Sequence, residues 1–479
     1  MHQFWRVDSN IGDRRSQLRC TWPKIAIFVI AALVTGCSTA VFSDLFTTYS
    51  EQLRASRYQL TAGQFEHAAE LLAEGKVTDN SYYLKQLELG RMLFLAGDFE
   101  ASQQHFSRVD QQLKWLSSQA EYRLSTGLQQ LSTLATNDNF IRYHIPVYEQ
   151  VMLHHYQAIN YLHSGGLESA LVEIRRAGQL QQLAMEEQPV SLETQLQDYQ
   201  QQYDELLKQY PSPDTTLPNA YQNGLSYALS AVLYLAAGQD NDAYIDYRKA
   251  LALAPNNHYL QAEVARLGQK LAMSDYQQYT PLKAQPLTED QGLLVVLHEQ
   301  SIVAARQEVR FTLPLYHQQR WQTYTLALPV ISTKPQLAIP LALSLEGHDF
   351  ATQQLVQIDA LAAKQLQQDL PAVLVRQILR VLAKDQLRRE VNQGDAKKGE
   401  NWANVFANVY NIVSERADTR SWQSLPALAQ IAIKPFAVGK HKLTMSGLGE
   451  SEVSVNIRPG RVTLVLTNDL GSTVQLFNL

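Results

Sequence analysis

A helical repeat domain, followed by a mixed strand-and-helix region that closes in a small antiparallel β-sandwich, is the multidomain α plus β fold this 479-residue sequence predicts. Three observations predict it. Glycine-centred segments recur in the first half at related spacings. The uncharged run Gly292-Leu293-Leu294-Val295-Val296-Leu297 has strand length. From Ala429 onward, short apolar stretches alternate with turn residues.

Ahead of the fold lies an address. Arg14, Arg15, Arg19 and Lys24 precede the apolar run Ile25 to Val34, which is the length of a signal-peptide core and too short to span a bilayer. The twin arginine Arg14-Arg15 is followed by Gln17, where an export motif of that kind prefers an apolar residue, so the general secretory route is expected. The run closes on Leu33-Val34-Thr35-Gly36-Cys37, which resembles the bacterial lipoprotein box. That resemblance implies removal of residues 1–36 and lipidation of Cys37 by fatty acyl chains such as palmitate, several of which anchor stably where one does not. Residues 37–48 then form a tether. Ser38 after the cysteine implies sorting to the outer membrane, with the body facing the periplasm.

Composition narrows the classes further. With 41 basic and 46 acidic residues the formal charge is -5, which gives no broad electrostatic reason to bind nucleic acid. Cys20 and Cys37 are the only cysteines, so the mature body is expected to hold no disulfide and to rely on apolar burial.

Residues 49–275 carry the repeats. Gly63 and Gly97, each in a Gly-x-Phe-Glu context, lie 34 residues apart, the tetratricopeptide (TPR) period, and Gly165 lies two periods further on. The fullest copy places Tyr234, Gly238, Ala243, Tyr247, Ala250 and Pro255 at the expected spacing: an aromatic on the first helix, a turn glycine, small residues and an aromatic on the second, and a closing proline. Leu192 to Gln209, rich in glutamine and tyrosine, interrupts the period and reads as a solvated structural helix. Residues 276–290, with Pro281 and Pro286, read as a linker.

Residues 291–416 form the mixed region, with strands at Gly292 to His298, Arg306 to Leu315 and Trp321 to Ile331, then helices at Ala351 to Asn392 and Glu400 to Glu415. Residues 417–479 form the sandwich, with strands Ala429 to Phe436, Lys440 to Met445, Glu452 to Ile457, Arg461 to Asn468 and Ser472 to Phe477. Its turn Arg458-Pro459-Gly460-Arg461 resembles those of PEGA domains on envelope proteins.

Chemistry-bearing motifs of the zinc-protease, serine-hydrolase, phosphate-loop and dinucleotide kinds are not found, so the protein is expected not to be an enzyme and to need no metal or cofactor. His154 and His155, near Glu149, point to different helix faces and read as ordinary helix residues, as does His298-Glu299 at a strand end. Asp418, Arg420 and Trp422 form the densest polar and aromatic cluster of the C-terminal half, either a binding site or a structural corner. Together with Leu171 to Ala177, Asp242 to Ala250 and Gly292 to Glu299, this cluster resembles an uncharacterised family of TPR-containing Gram-negative lipoproteins. The resemblance implies placement and architecture, and some relatives are similar in genomic setting to lipoprotein activators of cell-wall synthases. The tether and the repeats lead to the expectation of an outer-membrane protein-binding adaptor or scaffold linked to cell-wall synthesis, its partners being envelope proteins held in the repeat groove. The alternatives are an accessory lipoprotein for surface polysaccharide or appendage assembly, and a glycan-acting enzyme.

Overall fold

The computed structural model describes residues 47–123, 142–186, 200–211 and 217–479, apart from 275, 281, 284, 318–319, 332–335, 395–415, 448–450 and 472. The expected signal peptide, Cys37, most of the tether, the helix Glu400 to Glu415 and the first part of Leu192 to Gln209 lie outside the described residues. Residues Thr48–Leu479 form one compact unit.

Helices α1 (Tyr49–Gln52), α2 (Arg54–Thr61), α3 (Phe65–Glu70), α4 (Tyr82–Ala96), α5 (Phe99–Arg123), α6 (Val147–His163) and α7 (Leu167–Glu186) come first. After α8 (Gln200–Gln209) follow α9 (Gly224–Ala236), α10 (Asp240–Leu253) and α11 (His258–Lys270). The hairpins α2–α3, α4–α5, α6–α7 and α9–α10 turn at Gly63, Gly97, Gly165 and Gly238, whose φ angles are 74°, 85°, 79° and 72°. One capping motif closes all four. The N–H after each glycine donates back to a carbonyl five residues earlier, as in Asp98 to Leu93 and Gln239 to Tyr234, both within 3.0 Å. A side chain at these φ values would be strained, which is why the spacing of glycines revealed the repeats. Ala243, Tyr247 and Ala250 are fully buried between helices.

The chain then reaches β1 (Gln291–Gln300), β2 (Gln307–His317), β3 (Arg320–Val330), β4 (Ala342–Leu345), β5 (His348–Ala351), β6 (Gln353–Gln357), α12 (Ile358–Gly394), β7 (Leu428–Ala437), β8 (Gly439–Ser446), β9 (Ser451–Ile457), β10 (Val462–Asn468) and β11 (Val474–Asn478). A five-stranded sheet runs in the order β11-β10-β1-β7-β6, and a four-stranded one β5-β4-β8-β9. Strand β1 is parallel to β10 and antiparallel to β7. Its Leu293 to Leu297 are buried on both faces, as an unbroken apolar run requires. On one face Glu299 meets Arg91 of α4 and Tyr156 of α6. On the other, His298 bonds Thr467 at 2.8 Å, and burial lowers its imidazole to about 4.

Three expectations are corrected. The boundary at 416/417 does not divide two domains, because strands from both sides share each sheet: β1 and β6 join β7, β10 and β11, and β4 joins β8. The C-terminal strands are therefore not a separate antiparallel sandwich; parallel pairing of β1 with β10 needs a long crossover that no local pattern announces. Helix does not begin at Ala351, since β5 and β6 come first and the helix starts at Ile358. The glutamines of β6 favour helix, but pairing with β7, through an irregularity between Gln354 and Val356, overrides them. Nor is the interrupting helix α8 solvated on all sides. Leu206 and Tyr210 pack with Phe311, Leu326 and Leu328 of the β2–β3 hairpin and Leu370 and Leu374 of α12 in a second core, where the Tyr210 hydroxyl donates to the Pro329 carbonyl at 2.5 Å.

Candidate functional site

One side of the helical stack carries Ser50 of α1, Arg57 of α2, Glu88 of α4, Phe106 of α5, and Glu149 and Tyr156 of α6. Into it runs the non-helical segment Ala417 to Pro426, almost wholly buried. Trp422 has no exposed surface and lies with ring centroids 5.7 Å from Phe106 and 6.1 Å from Tyr156, its indole N–H donating to Ser424 Oγ at 2.9 Å.

Main-chain recognition completes the grip. Glu149 Oε1 accepts the Trp422 N–H at 2.8 Å, while Glu88 accepts those of Gln423 and Ser424 at 2.6 and 2.9 Å, one on each oxygen. Arg57 donates to the carbonyls of Gln423 at 2.7 Å and Val303 at 3.0 Å. The N–H donors of three consecutive residues and the carbonyl of the middle one are thus matched, as buried main chain demands. The segment then donates and accepts along the exit of β1, with Val303 N–H on the Leu425 carbonyl, before entering β7.

The nominated residues are therefore brought together, but as part of an internal clasp. Arg420 holds Asp418 through Nε at 2.8 Å and Nη2 at 2.7 Å and lies over the Tyr143 ring. Burial alone would raise the Asp418 carboxyl; Arg420 and Arg306 outweigh it and hold it below the usual range. Of the other members, Glu88 was not singled out from the sequence, and Glu149 was weighed only beside His154 and His155. Apolar residues surround each on its helix, Leu84, Leu87, Leu89 and Met92 for Glu88 and Tyr148, Val151 and Met152 for Glu149, but Lys85, Gln86 and Arg91 on the one and Gln150 and His154 on the other leave neither acid standing out locally. His154 bonds Glu173 at 2.6 Å, and burial lowers His155 to about 3. Among the described residues no cluster of His, Cys, Asp or Glu could hold a metal.

Burial pushes the Glu88 carboxyl up to about 7, against the pull of the Ser424 and Gln423 donors and the Arg57 charge. Its proton is held more tightly in the fold than in the unfolded chain, so the stability it contributes is full below pH 4.5 and is lost as pH rises through 7. Glu88→Gln imitates the protonated acid at every pH. Urea unfolding should therefore show wild type losing about 3 kcal/mol relative to Glu88→Gln between pH 4.5 and 8. A difference that stays constant with pH would show that Glu88 titrates normally.

No family model matches the chain. No curated protein matches it. Among solved structures, the crystal structure of a Podosopora anserina protein with nearly identical TPR-like repeats is 17% identical, with 48% of this chain and 90% of that chain covered and a TM-score of 0.27. A single-substitution variant of it is also 17% identical, covering 48% and 89%, with a TM-score of 0.26. The TPR-like character of the helices rests on their four shared turns rather than on these overlays.

Proposed function

We propose that this protein is a lipid-tethered scaffold of the cell envelope, binding protein partners through its TPR-like body, with cell-wall synthesis as the process served. The observation that supports protein binding is the clasp: this helical stack holds an extended polypeptide by an aromatic anchor and carboxylates on successive N–H groups, the way repeat grooves take peptides. The chain's own segment covers the helix residues that hold it, so partner contact falls on other surfaces or requires the clasp to leave. Tyr227 and Tyr234 of α9 are 3% and 9% exposed and so do not offer a partner surface.

Photo-crosslinkers at Tyr58, Trp115 and Ile245, which are 70%, 54% and 40% exposed, test the reading in cells. Capture of a cell-wall synthase or its regulator is the expected result. An export channel would favour the accessory role in surface polysaccharide or appendage assembly, and glycan without protein would overturn the scaffold. Cys37→Ser, followed by fractionation, tests the tether separately: unprocessed protein should accumulate.

The rival glycan-acting enzyme calls for a pair of carboxylates in a cleft. Asp369 and Asp418 do line a cleft of about 380 Å³ beside Tyr143 and His144, with Asp418 engaged by Arg420.

A further inference from the structure

The five-stranded sheet ends at β11, Val474-Gln475-Leu476-Phe477-Asn478, which has β10 on one side and no strand on the other. The Leu479 N–H donates to the Val462 carbonyl at 2.9 Å. Because main-chain bonding alternates along an antiparallel ladder, Gln475 and Phe477 also bond to β10, while the N–H and C=O groups of Val474, Leu476 and Asn478 point away from it. Among the described residues no partner meets these outward groups.

Packing fixes the strand on both faces. Gln475 and Phe477 meet His163 of α6, the first through its amide oxygen at 3.0 Å and the second at a ring separation of 4.7 Å. On the opposite face Thr463, across from Asn478, donates to the Asn456 carbonyl of β9 at 3.1 Å. The edge itself stays open, with Asn478 exposed and Val474 and Leu476 partly so.

Unpaired strand edges invite association, and among the described residues the other sheet edges are blocked. At β6, Asn257 of α11 donates to the Gln354 carbonyl at 3.0 Å. At β5, Tyr259 donates to the outward Ala351 carbonyl at 2.7 Å, beside the charged Asp349. Strand β9 carries Glu452 and has its Asn456 carbonyl occupied, and the β2–β3 hairpin has Pro314 on one strand and Pro329 on the other. Strand β11 has no charge, no proline and no bulge.

We propose that β11 pairs with β11 of a second copy of this chain, antiparallel about a two-fold axis at Leu476, so that the five-stranded sheets of both copies become continuous. In that register Leu476 lies opposite Leu476 and Val474 opposite Asn478, and each opposed pair exchanges both of its hydrogen bonds, which satisfies every outward group of the strand. A charged edge needs a partner strand of opposite charge, whereas this uncharged one is complementary to itself. The proposal does not depend on the scaffold reading.

Sedimentation velocity of the full chain in detergent, over a concentration series, tests it. A dimer that grows with concentration is expected, and Leu476→Lys, which sets like charges against each other on the axis, should weaken it about tenfold or more. Asn478→Pro keeps the test valid if that variant fails to fold, because Asn478 is exposed and the N–H it loses is not one that β10 uses. It should weaken the dimer several-fold. Leu476→Cys should give a disulfide-linked dimer on oxidation, since the opposed Cα atoms lie about 5.5 Å apart, whereas Gln475→Cys should not, its counterpart lying further along the ladder and out of reach. Wild type that stays monomeric at every concentration overturns the proposal and leaves the edge to a strand of another protein. So does a dimer that Asn478→Pro leaves unaltered and Leu476→Cys fails to link, since it would use another surface.

Discussion

Trp422→Ala is expected to lower the stability of the whole body by about 3–5 kcal/mol, the cost of deleting a buried large aromatic and leaving part of its volume empty. The side chain is completely buried between Phe106 and Tyr156, and its removal also strands the Ser424 hydroxyl that accepts its N–H. The clasp couples the helical stack to the sheet, since residues 422–424 are held by α4 and α6 and the chain from Leu428 onward is β7. Buried residues of the repeat helices and of the five- and four-stranded sheets moreover belong to one core. Chemical denaturation followed by far-ultraviolet dichroism and by tryptophan emission should therefore give coincident transitions, both moved to lower denaturant. Two separate transitions with only one of them moved would show that helices and sheet are independent and the clasp merely decorative.

How much of this was legible in the sequence depends on the range over which each feature is determined. The turns at Gly63, Gly97, Gly165 and Gly238 were legible because a left-handed residue closing a helix is a local demand with a local answer. The strands β2, β3 and β7 to β10 were legible to within a residue or two for the same reason: alternation and turn chemistry are short-range signals. The placement of those strands was not. Parallel pairing of Leu293 with Val462 is settled by which apolar faces meet in the folded core, and nothing near either residue encodes the other. Asp418, Arg420 and Trp422 were found because polar and aromatic residues were dense there, but their role depends on Glu88 and Glu149, hundreds of residues upstream, which read locally as two more helix acids. Lys85 and Arg91 flank Glu88 at helical spacing and Gln150 adjoins Glu149, so neither acid stands out on its helix, and each becomes a buried acceptor only once a main-chain donor arrives.

Glu149→Ala is the second large effect expected, about 3–5 kcal/mol, and its reasoning differs from that for Trp422. Little apolar surface is lost; what changes is that three buried donors, the hydroxyls of Tyr143 and Tyr148 and the N–H of Trp422, lose their acceptor together. Each unsatisfied buried donor costs roughly 1–3 kcal/mol, and partial rearrangement keeps the sum below the total of the three. Arg306 also loses a neighbouring carboxylate, adding a poorly balanced buried charge. Glu149→Gln separates these contributions. Its carbonyl can still accept, so stability should fall by only about 1–2 kcal/mol, and at pH above the carboxylate range the deficit should shrink. The sign follows from burial, which raises the Glu149 carboxyl: the wild-type acid contributes most at low pH and loses that contribution as pH rises, whereas the amide does not titrate. Equal losses in the alanine and glutamine variants at every pH would mean that Glu149 acts through its charge, which both variants lack, and a small loss in the alanine variant would mean that the main-chain grip on Trp422 carries little of the energy joining helices to sheet.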